Sequence, residues 1–120
     1  NVEELGSGWD KIVSSCEFAQ LPAPKIELYE DSTRVVLFSE IPFSAISIED
    51  KLWACYLHAC IRQVEGEQLT NSSLRKRFGL KDSSAGSISR LIKEAVSMKL
   101  IKPLDSSTAP RYMKYIPIWA

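Results

Sequence analysis

Apolar residues recur along the chain at two spacings, every three to four residues and every second residue. The switches between them divide the chain into helices and strands. Trp9, Ile12, Val13 and Cys16 return at helical spacing, with Phe18 or Ala19 extending the face. Gly6-Ser7-Gly8 leads in, so Ser7 or Gly8 is the expected cap, and Asp10 suits the first turn, where the helix dipole favours a negative charge. Leu21-Pro22-Ala23-Pro24 stops this helix, because proline has no N–H to give to the helix ladder. Lys25–Glu30 then alternates as a strand with one wet face does, Glu30–Thr33 is a turn, and Arg34–Phe38 is a second, more buried strand. A helix and a hairpin are too small to stand alone, so this unit must pack on the later helices or on another domain.

Helical spacing resumes after the segment SEIPFSAIS, whose residues 41–47 read as a linker. Ser47 caps a helix from Ile48 to Val64, with Asp50 as the return half of a capping-box variant, and Gly66 ends it. Leu52, Trp53, Cys55, Tyr56, Leu57, Ala59, Cys60 and Ile61 are apolar nearly all round. Such a helix is buried on more than one side. One side is expected against the helices nearer the C-terminus, the other against the N-terminal unit or a second protomer.

Two shorter helices come next. Thr70 is an N-cap, Leu74 and Phe78 share a face, and Gly79 supplies the left-handed residue that ends the first. Asp82 or Ser83 is expected to cap the second, whose apolar stripe is Ile88, Leu91, Ile92 and Ala95. Its other face carries Ser84, Ser87, Arg90, Lys93 and Ser97. Leu100–Leu104 is a strand candidate, Asp105–Pro110 is turn-rich, and Arg111–Ile116 is a second strand. Helix, turn, helix and hairpin follow one another in the order of a winged helix-turn-helix. The fold class expected is therefore α+β: three helices and a β-hairpin wing over residues 48–120, preceded by a helix and a β-hairpin in residues 1–40.

Charge changes this picture more than composition does. The net charge is zero, yet residues 1–68 carry 5 Lys and Arg against 12 acids, and residues 69–120 carry 10 against 3. The basic half coincides with the helix-turn-helix and wing, which favours nucleic acid as its partner. The 45% apolar content suffices for a packed core, and no run of about 18 apolar residues predicts a membrane span. The first residues lack the order of a signal peptide and the chain does not open on Met, so an upstream continuation is expected. An odd number of cysteines, Cys16, Cys55 and Cys60, suits a reducing, cytoplasmic setting. Cys55, His58 and Cys60 share one helix, but a structural zinc needs four ligands, so the thiols read as core residues. His58, the single histidine, has no nucleophile or acid set beside it by a motif.

Three stretches also resemble one family: GSGWDKI; LPAP followed by TRVVLF; and LTNSSLRKRFGL, SRLIKEAVSMKLIKPL and RYMKYIPIWA in that order. Together they are similar to the C-terminal portion of RecG-related proteins, or transcriptional regulators, in which a Schlafen/AlbA-type domain precedes a GHKL-like ATPase fold and a winged helix. The resemblance implies that residues 1–40 close an ATP-binding domain. It places Gly6 and Gly8 near a phosphate site in a full-length parent, with ATP and magnesium as the parent's cofactors. This stretch itself is expected to hold no cofactor and no metal. Nothing in it resembles a P-loop or a helicase motor.

The expected function is a DNA-binding winged helix, with the helix Ser84–Met98 in the major groove. Ser84, Ser87, Arg90 and Lys93 would meet bases or phosphates, while Arg75, Lys76, Arg77, Arg111 and Lys114 would meet the backbone. Two alternatives stand beside it. One is an interaction module that dimerises through helix 48–64. The other is an accessory part of an ATP-dependent, helicase-related enzyme.

Overall fold

The first helix, α1, spans Val2–Phe18 and runs through both Gly6 and Gly8 in the computed structural model, which describes residues 2–120 and side chains from Gly8 onward. The expected cap at Ser7 or Gly8 is therefore corrected. Upstream residues continue the helix, and both glycines lie more than one turn inside it. Backbone N–H groups there are engaged by the helix ladder, whereas a phosphate cradle needs the free N–H groups of a helix start.

The described residues are mixed α+β, with four α-helices and two small antiparallel hairpins. The first hairpin pairs β1 (Lys25–Leu28) with β2 (Thr33–Val36), and its register sets Glu27 opposite Arg34, which form an ion pair. The segment to the next helix is not a bare linker. Its Phe43–Ala45 turn sets Phe43 edge-on to Phe78, with ring centroids 4.8 Å apart.

Helix α2 (Ile48–Val64) is the element to which the others attach. Ser47 Oγ accepts the Asp50 N–H at 3.2 Å, as an N-cap should. The expected return half of the box is absent, because the Asp50 carboxylate instead takes Lys25 Nζ at 2.8 Å, tying β1 to α2. One flank of α2, with Leu52, Cys55 and Ala59, joins Leu74, Ile88, Leu91, Ile92, Ala95 and Ile101 in the larger core. The other flank, with Ala54 and Leu57, meets Val13 and Ala23 in a second cluster, partly covered by Trp9, Trp53 and Tyr56. Trp53 Nε1 donates to Pro24 O at 2.9 Å and pins the proline segment there. The face that a second protomer was the alternative to cover is thus covered by α1 and residues 22–24 of the same chain.

Helix α3 (Asn71–Arg77) opens with a full capping box: Thr70 Oγ1 accepts the Ser73 N–H, and Ser73 Oγ accepts the Thr70 N–H. Gly79 closes it at φ +71°. Helix α4 (Ala85–Ser97) is reached through a 3-10 turn at Asp82–Ser84. Neither Asp82 nor Ser83 caps it; Asp82 is drawn to Arg75, whose Nη1 donates to Oδ1 at 2.6 Å. The predicted stripe of α4 is the buried one. At about 1.5–3 kcal/mol per large side chain removed from water, that stripe is what holds α4 in place.

The second hairpin is shorter than expected, β3 (Ile101–Pro103) against β4 (Tyr115–Pro117), with Ile101 opposite Pro117. Leu69, between α2 and α3, adds a bridge to Tyr115 on the free side of β4, with hydrogen bonds of 2.8 and 2.9 Å. Arg111 sits in a 3-10 turn, Pro110–Tyr112, rather than in a strand. Trp119 does not fold over the core as its apolarity suggests. It rests on α2 through Nε1 to the Tyr56 hydroxyl at 3.1 Å, and 58% of it faces solvent.

Candidate nucleic-acid interface

Packing the stripe of α4 inward leaves its other side, from Gly86 through Ser87, Arg90 and Lys93 to Ser97, in water. The two cations lean apart. Lys93 lines a groove of 1080 Å³ between α4, the start of α3 and the connection from β3 to β4. Arg75, Arg111 and Lys114 line the same groove, so four of the expected residues converge there, and no acid is among the lining residues. Arg90 and Ser87 line a second groove on the opposite flank, of 620 Å³, together with Lys51 of α2 and with Glu94. Arg90 there donates to Ser87 Oγ at 3.3 Å.

The cations of the larger groove are not equivalent. Arg75 is held at both ends: Nε donates to Asn71 Oδ1 at 2.7 Å and Nη1 to Asp82. Its charge is largely answered, and its role is to brace the turn between α3 and α4. Lys93, Arg111 and Lys114 are exposed, and among the described residues none of them has an acid at ion-pair distance. Asn71 ties the groove floor together, donating from Nδ2 to Ala85 O and to Ser89 Oγ at 3.0 and 2.9 Å.

Arg77 is a correction. Expected to meet a phosphate backbone, it is 4% exposed and points into the interface between α3 and α1. Its Nε lies 3.5 Å from Glu17 Oε2, an ion pair without a formed hydrogen bond. Burial draws the Arg77 pKa below its usual value, against the pull of Glu17. The cause was legible: Leu74 is buried, and residue 77 lies three positions on, on the same face. Lys76 is exposed but lines neither groove, and its carbonyl accepts from Gln20 Nε2 at 2.9 Å. Ser84 is half-buried at the N-terminus of α4, without a side-chain cap bond.

The sequence gives no sign of what surrounds His58. Nδ1 lies 2.9 Å from Glu17 Oε1, and Nε2 lies 2.9 Å from Ser73 Oγ. Serine, imidazole and carboxylate stand in the order of a nucleophilic relay. The serine is committed elsewhere, however. Its Oγ accepts the Thr70 N–H at 2.9 Å and donates to Thr70 O at 3.1 Å. His58 is 6% exposed. The arrangement therefore locks α1 and α2 onto the cap of α3 and is structural. Residues 41 and 15 positions away in sequence supply the two contacts, so no local motif announces them.

Burial disfavours the thiolate form at all three cysteines. Burial pushes Cys55 up to about 12 and raises Cys16 and Cys60 as well. Among the described residues no group of His, Cys, Asp and Glu is placed to hold a metal ion, and no helix is long and apolar enough to cross a membrane. In comparisons with known proteins, no family profile fits the chain, and neither a curated sequence nor a solved structure matches it.

Proposed function

We propose that residues 48–120 form a winged helix that binds DNA, with α4 offered to the major groove and the β3–β4 connection as the wing. Three features support the reading. The element order is α2, the Leu69 bridge, α3, α4, β3 and β4, with Leu69 acting as a one-residue third strand on β4. The outward side of α4 carries Gly86, Ser87, Arg90 and Lys93, with one acid, Glu94, on the Arg90 flank away from the larger groove, so small and cationic residues meet the backbone and base edges on the Lys93 side. The observation that carries it is the groove in which Lys93, Arg111 and Lys114 gather without an acid among its lining. A duplex phosphate backbone is the polyanion such a trough suits.

The test is the triple reversal Lys93→Glu, Arg111→Glu, Lys114→Glu, read by duplex binding against salt. Each lost phosphate contact should lower the slope of log K against log salt by about 0.9, and affinity should fall more than about tenfold. A folded variant whose affinity and slope are unchanged refutes the proposal. The further proposal, that an ATPase-like regulator carries this winged helix, rests on the likeness of GSGWDKI, LPAP and TRVVLF. The course of α1 through Gly6 and Gly8 counts against a phosphate cradle at that point. A second reading, an interaction module, is favoured by Leu28 in β1 and Leu37 just after β2, which are 76% and 63% exposed.

A further inference from the structure

Phosphates need cations, and the larger groove offers more than cations. Ile92 and Val96 of α4 form one wall, and Met113 and Tyr115 form part of the other. Tyr112 stands at its rim, 66% exposed, with the Arg111 guanidinium 5.6 Å from its ring centroid. A duplex backbone laid along the trough would use its cations but leave the apolar lining and the exposed ring unused, since charged oxygens gain nothing from apolar contact. An unpaired nucleotide presents a phosphate and a flat π-face together, which is the chemistry of single-strand sites.

We infer that the groove between α4 and the β3–β4 connection takes an unpaired DNA segment, with Tyr112 as the platform on which a base stacks and Lys93, Arg111 and Lys114 as its phosphate contacts. The inference rests on the proposed DNA-binding role of this face and adds the strand form of the ligand. Charge complementarity selects the occupant: the trough is cationic and free of lining acids, so a polyanion enters it in preference to an acid-poor peptide. Recognition here is by stacking, so it tolerates any base and carries little sequence information.

The experiment compares the full chain on oligo(dT) of about 16 nucleotides, near the upper site size for single-strand folds, with a blunt duplex of equal length. Tyr112→Ala should weaken oligo(dT) binding roughly tenfold, the loss of one stacked base, and leave the duplex within about twofold. Tyr112→Phe should keep the affinity, because the ring and not the hydroxyl stacks. Tyr112 is exposed, so both variants should retain the wild-type circular dichroism spectrum. Equal losses on both ligands, or no loss on oligo(dT), overturn the inference and leave the duplex reading intact. Failure of the Lys93, Arg111 and Lys114 reversal to weaken either ligand overturns the DNA reading itself.

Discussion

At the end of α3, Arg77 carries a guanidinium into the interface with α1, and Glu17 Oε2 is the carboxylate oxygen that meets it. Glu17 Oε1 faces His58 at the same time, so one carboxylate serves two partners. Taking a single partner from a buried pair leaves the other charge uncompensated, whereas removing both charges can be nearly neutral. Arg77→Met should therefore cost about 3 kcal/mol of stability in urea unfolding. Glu17→Gln combined with Arg77→Met should cost markedly less than the sum of the single changes, with a coupling of about 1–3 kcal/mol. Additive losses would mean that the pair contributes packing alone. The same geometry explains why the run Arg75-Lys76-Arg77 does not act as one basic patch: the helix turns one residue to the groove, one to solvent and one to the core.

Among the elements, α2 was the most legible in the sequence, because its signals agree. Ser47 caps it, Gly66 at φ +78° closes it, and its all-round apolarity is consumed by two cores. The stripe of α4 and the cap of α3 were equally plain. The start of α4 was not, because Asp82 is a good cap by type but a better partner for Arg75. Nor was the start of α1, where two glycines that look like a boundary lie inside the helix. Of the candidate interface, Lys93, Arg111 and Lys114 were legible from charge, while Tyr112 was not, since its value lies in the groove beside it. The end of α4 yields a prediction of its own. Lys99 comes after the helix at φ +59°, and the Leu100 N–H reaches back to Ala95 O at 3.0 Å. That is the left-handed site glycine normally fills, and the Lys99 side chain is exposed. Lys99→Gly should raise stability by about 0.5–1 kcal/mol, despite the freer unfolded chain, as a higher urea midpoint at constant m.

At the scale of the whole molecule, the question is whether the acidic N-terminal unit and the basic helices with their hairpin respond separately or together. The charge division alone suggests two bodies. The contacts argue otherwise. Helix α2 gives one flank to each core, so neither cluster persists once α2 unwinds. Gln20 and Glu17 reach α3, and Lys25 reaches α2, so polar ties cross the same boundary. Tryptophan fluorescence tests this, because the three tryptophans report one side only. Trp9 and Trp53 cover the N-terminal cluster, and Trp119 rests on Tyr56 beside it. Far-ultraviolet circular dichroism, by contrast, reports all four helices. Shared burial of α2 predicts that the two signals trace one urea transition with a common midpoint and m value. A fluorescence change that precedes the loss of helix would show instead that the N-terminal unit detaches first. In that case the ties through Glu17, Gln20 and Lys25 would be weaker than their geometry implies, and the basic half would be able to stay folded alone.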